Sequence, residues 1–221
     1  MDRMNLHRRR CARSILLSII ILLGLFHVWY VFFNYRFEVI SRDTVYKSGR
    51  MPPEEIARFV DRYGIRTVVD LREPQDEGSL ESGERDGIDL ERQAIEELAG
   101  VRHINIPSGQ VPTEENLERF FEVMDDSASY PVLIHCFHGY GRAVIYSAIY
   151  RIEYEGFSNE EARARTRFFL DGSSFDQGRG KGDFLIHYEP RHDSAPRLPG
   201  PPSEAGAGRE ISAMVGGDPS R

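Results

Sequence analysis

The chain has 221 residues, with 28 basic against 35 acidic side chains and a net charge of −7. That length suits one ordinary catalytic domain. Residues 1–13 hold five arginines against one aspartate, a net +4, which leaves −11 for the rest. A domain so acidic lacks the basic face that nucleic acid demands, so nucleic acid is excluded as a partner.

Residues 14–35, SILLSIIILLGLFHVWYVFFNY, contain no charged side chain. The run is long enough to span a bilayer core. Trp29, Tyr30 and Tyr35 gather toward one end, as an interfacial belt does. A cleavable signal peptide would have a shorter apolar core followed by small residues; here aromatics and Asn34-Tyr35-Arg36 follow. A retained single-pass anchor is therefore predicted. The basic flank 1–13 is expected to stay in the cytoplasm, which puts the remainder in the periplasm of a bacterial inner membrane. Cys11 and Cys136 then lie on opposite sides, and no internal disulfide is available to them.

Phe37–Ile40 and Thr44–Arg50 read as a short β-like entry. Pro52 and Pro53 open a helix to about Tyr63, with Ile56, Phe59 and Val60 on its apolar face and Gly64 as its stop. Residues 66–71 read as a buried strand. Residues 72–86, acidic and glycine-containing, read as a loop. Leu90–Leu98 reads as a helix and Arg102–Ile106 as a strand. Leu117, Phe120, Phe121 and Met124 mark the next helix. Pro131-Val132-Leu133-Ile134 is a strand, residues 143–150 are an apolar-periodic helix, and Ser158-Asn159-Glu160-Glu161 is a capped helix start. From Asp193 onward Pro, Gly, Ser and Ala dominate without any apolar period, the composition of a disordered tail. Strands alternating with helices predict an α/β fold, a central, mostly parallel sheet flanked by helices, preceded by one transmembrane helix. The expected divisions are a cytoplasmic N-terminus (1–13), an anchor (14–35), a catalytic domain (37–190) and a tail (193–221).

Between that strand and helix lies His135-Cys136-Phe137-His138-Gly139-Tyr140-Gly141-Arg142. A cysteine is a nucleophile as its thiolate. At a helix N-terminus, outward-pointing N–H groups and the helix dipole stabilise such a charge. Gly139 and Gly141 let the backbone curl so that successive N–H groups converge on an anion. Arg142 adds a planar fork suited to two phosphate oxygens. The five-residue spacing sets sulfur under a phosphorus and the guanidinium beside its oxygens. The stretch Phe137 to Arg142 is therefore a candidate phosphate-binding loop, with Cys136 and Arg142 as candidate catalytic residues. A buried, inert cysteine is the alternative use of such a residue.

The eight residues resemble the signature His-Cys-x-x-Gly-x-x-Arg of the cysteine-dependent protein tyrosine phosphatases, in particular bacterial membrane-anchored dual-specificity phosphatases. His135, Cys136, Gly139 and Arg142 carry the match. Val45-Tyr46-Lys47-Ser48-Gly49, residues 64–72 and the stretch from Tyr150 to Ala162 look like further blocks of that group. The resemblance covers about Phe37 to Leu170. It implies a phosphomonoester hydrolase in which Cys136 attacks phosphorus, Arg142 binds the phosphoryl oxygens and His135 supports the loop. It implies no metal and no cofactor. The substrate would be a phosphoprotein or a phospholipid, with the bilayer as a further partner.

Two departures stand out. The family's Ser or Thr after the arginine is Ala143, which predicts slow release of a phosphocysteine. The region that supplies the family's acidic Asp, 106–115, contains no Asp; Glu114 and Glu115 read as a helix start, so the general acid is unknown. These departures keep a phosphate-binding module without turnover as a second reading. Sulfur transfer on a rhodanese-like fold is a third, opposed by the flanking blocks. Asp70 and Arg72 are expected to form a structural ion pair. The loop holds no Lys or Arg between Cys136 and Arg142, which argues for a substrate with one phosphate rather than a polyphosphorylated head group.

Overall fold

The computed structural model describes residues 2–73 and 86–191. The stretch expected as an acidic loop and the C-terminal tail lie outside the described residues, in whole or nearly so. In chain order the elements are α1 (Asp2–Phe32), β1 (Glu38–Ser41), β2 (Val45–Ser48), α2 (Pro53–Tyr63), β3 (Thr67–Asp70) and α3 (Asp86–Glu96). They continue with β4 (Arg102–Asn105), α4 (Glu114–Asp125), β5 (Val132–His135), α5 (Arg142–Glu155), α6 (Asn159–Ala164) and α7 (Gly180–Ile186).

The strands form one sheet in the order β1-β2-β5-β3-β4. β5 is central and runs parallel to β2 and β3, β3 runs parallel to β4, and the edge strand β1 alone pairs antiparallel, with β2. The fold class is thus α/β with a mostly parallel sheet covered on both faces. β2, β3 and β5 are buried along their whole length, as strands with helices on both sides must be. Successive side chains divide between the faces. Val45, Val69, Val132 and Ile134 join Phe120, Met124, Ile145 and Ile149 in one core. Tyr46, Val68 and Leu133 join Ile56, Val60 and Ile95 in the other. That two-residue alternation is the strand period itself.

α5 is buried from Arg142 to Tyr154, which explains why its sequence is apolar all round rather than on one stripe. α2 stops at Gly64, whose left-handed φ of 62° costs glycine little. α7 was not foreseen from sequence: Gly180 and Gly182 open it, and glycine is a poor helix former.

Within α1, the 20 residues Arg13–Phe32 are long and apolar enough to cross a membrane, and none is buried against the rest of the protein. The end of α1 is tied to the domain. The Gly49 N–H donates to the Tyr35 carbonyl at 2.7 Å. Phe37 packs against Tyr63 and Phe59 with ring centroids 4.5 and 4.8 Å apart.

Candidate active site

β5 ends at His135, and Cys136 follows at the C-terminal edge of the sheet, where parallel α/β sheets bind ligands. The chain then curls through Phe137 to Gly141 and enters α5 at Arg142. Cys136 is buried, and its Sγ accepts the Gly139 N–H at 3.3 Å. Gly139 has φ of 72°, and a Cβ there would lie 2.3 Å from the Gly49 nitrogen. Backbone packs on backbone at that point, so the loop is shaped against the end of β2 as well as by its own turns. The Arg50 N–H donates to the Phe137 carbonyl at 3.2 Å and reinforces the same contact.

Arg142 is buried, and its Nη1 donates to the carbonyls of Leu71 at 2.9 Å and Ser108 at 3.1 Å. The guanidinium is therefore held by the loops that follow β3 and β4. Tyr146, one turn further into α5, donates its hydroxyl to Ser108 Oγ at 2.9 Å. Burial pushes the Tyr146 hydroxyl up to about 12, so it remains a donor. Ser108 and Tyr146 belong to the support of Arg142, a role that local sequence reading did not reveal.

His135 sits in register with Asp70 of β3 and Ser48 of β2. Its Nε2 lies 2.8 Å from Glu91 Oε1 and 3.7 Å from Asp70 Oδ1. His103 of β4 brings its Nε2 to 3.3 Å from the same Glu91 oxygen and 3.7 Å from Asp70 Oδ2. Arg72 closes the group: Nε and Nη2 reach the two oxygens of Asp70 at 2.9 Å each, and Nη2 reaches Glu91 Oε2 at 2.8 Å. The expected Asp70–Arg72 ion pair is thus part of a larger buried network that runs to the residue before the nucleophile. Burial opposes charge on both carboxyls, but His135, His103 and Arg72 outweigh it and hold Asp70 and Glu91 below their ordinary values. Burial also opposes charge on His103, and the two carboxylates overcome it and raise its value. The Arg72 guanidinium faces both carboxylates directly, the kind of pairing a buried charge requires.

Asp70, Glu91, His103 and His135 could each turn one ligand atom toward a shared cation, with those atoms within 4.8 Å of one another. Arg72 already sets its charge against both Asp70 oxygens and Glu91 Oε2. The donor set is better matched to that guanidinium and a proton than to a divalent ion.

The remaining loop side chains face outward. His138 and Tyr140 are exposed, with ring centroids 5.5 Å apart. The charge around the loop differs from what its own sequence suggests. Arg50 lies 4.2 Å over the Phe137 ring, and Arg36 lies 5.2 Å over Tyr140. Arg167 lies 5.8 Å from the same Tyr140 ring. A Cβ at Gly141 would stand 3.2 Å from Lys181 Nζ and 3.3 Å from Gln110 Oε1. Cations beyond Arg142 thus approach the loop from distant parts of the chain. Glu114 and Glu115 occupy the first turn of α4, behind a Thr113–Asn116 capping box, and both are exposed.

Residues 36–179 match the family model described as a dual-specificity-type protein tyrosine phosphatase fused to NAD+ kinase. No curated protein sequence matches the chain. Among solved structures, the core catalytic domain of the PP-IP phosphatase SIW14 from S. cerevisiae is similar with a TM-score of 0.48 and 16% identity; the match covers 69% of this chain and 85% of that one. TpbA from P. aeruginosa is similar with a TM-score of 0.42 and 22% identity, over 65% and 79% of the two chains. PTPMT1 is similar with a TM-score of 0.44 and 22% identity, over 60% and 83%.

Proposed function

The chain belongs to that phosphatase family and is a cysteine-dependent phosphatase, and on that premise we propose a membrane-anchored phosphomonoester hydrolase working through Cys136 and Arg142. The observation that carries the reading is the loop itself. Cys136 Sγ accepts a loop N–H while Arg142 opens the helix that follows.

In the first step the Cys136 thiolate attacks phosphorus. An S–P bond forms, the P–O ester bond breaks, and the leaving oxygen takes a proton from water. In the second step water attacks phosphorus, the S–P bond breaks, and inorganic phosphate and the thiolate are released. Arg142 and the loop N–H groups neutralise the equatorial oxygens in both steps. His135 fixes the strand end from which the nucleophile projects. A Cβ at Gly141 would meet Gln110 Oε1 and Lys181 Nζ, neither of which is a carboxylate oxygen. An aryl phosphate, whose leaving group needs little protonation, suits such a site better than an alkyl one.

Residues 14–35 serve as the anchor in this reading, with 1–13 cytoplasmic, the domain 37–190 periplasmic and 193–221 a tail. Substrates are phosphoproteins or phospholipids at the membrane surface. The test is hydrolysis of p-nitrophenyl phosphate by the full chain: turnover is expected, with loss in Cys136→Ser. Phosphotyrosine binding without turnover would instead favour a phosphate-binding module, the reading for which Ala143 speaks. A panel of phosphotyrosine peptides, phosphatidylglycerophosphate and phosphoinositides then separates the substrate classes.

A further inference from the structure

A second cavity, of about 340 Å³, lies beside the loop. Gly139 and Tyr140 line it, whereas Cys136 and Arg142 do not. Among the described residues its lining carries five cations, Arg36, Lys47, Arg151, Arg165 and Arg167, against one carboxylate, Glu38. Glu38 accounts for Lys47, at 2.8 Å. Arg36 and Arg167 spend N–H groups on the neutral carbonyls of His138 and Tyr140. Arg151 has Glu155 no nearer than 4.0 Å. Burial holds the guanidinia of Arg151 and Arg167 below their ordinary value, and an anion placed between them would offset that desolvation.

The rim of the cavity indicates what kind of anion. Tyr30, in the last turn of α1, lines it. So does Phe168, which is 93% exposed, beside Phe169 at 75%. Both exceed the large apolar side chains described in α1, where exposure reaches 67%. Two adjacent bare aromatics directly after the basic run Arg163-Ala164-Arg165-Thr166-Arg167 have the composition of an interfacial membrane contact, not of a water-facing turn. A bilayer that holds α1 ends at the level of Tyr30, and Phe168 shares a cavity with Tyr30.

We propose that this cavity is an anionic phospholipid headgroup site, with Phe168 and Phe169 seated in the bilayer that holds α1. The lipid phosphate enters among Arg36, Arg165 and Arg167, and the two rings lie among the first acyl carbons. The site rests on the anchor assigned under the proposed function, and it shares Gly139 and Tyr140 with the phosphate loop but neither Cys136 nor Arg142. The domain would then be held at two points, the end of α1 and the Phe168 corner, with Tyr140 between them at headgroup level.

The full chain carrying Trp29→Phe and Phe168→Trp has a single indole, placed at that corner; Phe169→Trp provides a second such reporter. Each is reconstituted in phosphatidylcholine vesicles with brominated acyl chains and a rising fraction of phosphatidylglycerol. Quenching is expected to rise with the anionic fraction. Arg165→Gln is expected to raise the fraction needed for half-maximal quenching about fivefold, the value of one basic side chain at an anionic surface. Equal quenching in purely neutral vesicles overturns the site, as does absence of quenching from both reporters at every composition. Alkaline extraction reads the anchor separately. Retention without quenching defeats the headgroup site alone; release defeats the anchor and the site built on it.

Discussion

Two residues of the loop carry opposite consequences. Gly139 is irreplaceable for a steric reason, because any Cβ there collides with the backbone of Ser48 and Gly49. Gly139→Ala is expected to push the loop off β2 and to lower kcat/KM for p-nitrophenyl phosphate by about 100-fold or more, since misplacement of about 1 Å costs that much. A variant with wild-type kinetics would show that the loop does not need this contact. Ala143, fully buried at the start of α5, stands where the resemblance to the phosphatase signature expects a hydroxyl that would assist release of the thiolate in the proposed mechanism. Ala143→Ser is expected to raise kcat at least about tenfold where breakdown of phosphocysteine limits turnover, because a donor aimed at developing charge is worth that or more. Stopped-flow measurement should show a burst of nitrophenol in the wild type that shrinks in the variant.

At the scale of elements, the support of the loop is the parallel register of β2, β5 and β3, which sets Ser48, His135 and Asp70 in one row. Glu91 of α3 and His103 of β4 join that row from outside it. Glu91→Gln removes one of two carboxylates facing Arg72 and two histidines, and it is expected to cost about 3 kcal/mol in urea unfolding. The network also sets a pH window. His103, with its raised value, contributes in full below about pH 6.5 and loses that contribution as pH rises through its folded value. Asp70 and Glu91, with lowered values, contribute above about pH 4.5 and lose it as pH falls through theirs. The thermal midpoint is expected to peak between those limits, and His103→Gln should flatten the alkaline side; a wild-type profile flat across neutral pH would refute the arrangement. The Cys136–Arg142 loop was legible in sequence because strand, turn and helix start are contiguous. Asp70 and Arg72 were legible as a pair because they are two residues apart. Glu91 was not, because on a helix with acidic neighbours it looks like a solvated side chain, and only the packing of α3 on the sheet buries it. Lys181 and Arg167 were hidden likewise: their approach to the loop depends on how the chain returns after α6, through a glycine-rich stretch with no apolar period.

For the whole molecule, the link between α1 and the domain is short and bonded: Tyr35 accepts from Gly49, and Arg36 donates to His138. If residues 14–35 anchor the chain as proposed, the basic flank 1–13 sets the side of the membrane on which the loop lies. A small membrane-impermeant methanethiosulfonate, applied to intact bacteria expressing the chain with Cys11→Ser, is expected to abolish its phosphatase activity. Protection in intact cells, with inactivation only after lysis, would place the domain in the cytoplasm.

The central position of β5 has a further outcome. Each of its edges is covered by a parallel neighbour, and the strands free to fray are β1 and β4. Backbone amides of residues 132–135 should therefore exchange with deuterium only when the whole domain opens, while those of 38–41 exchange through local fluctuations. The strand that delivers the nucleophile would then be the last part of the sheet to be lost under stress, so partial damage at either rim should leave the phosphate loop formed.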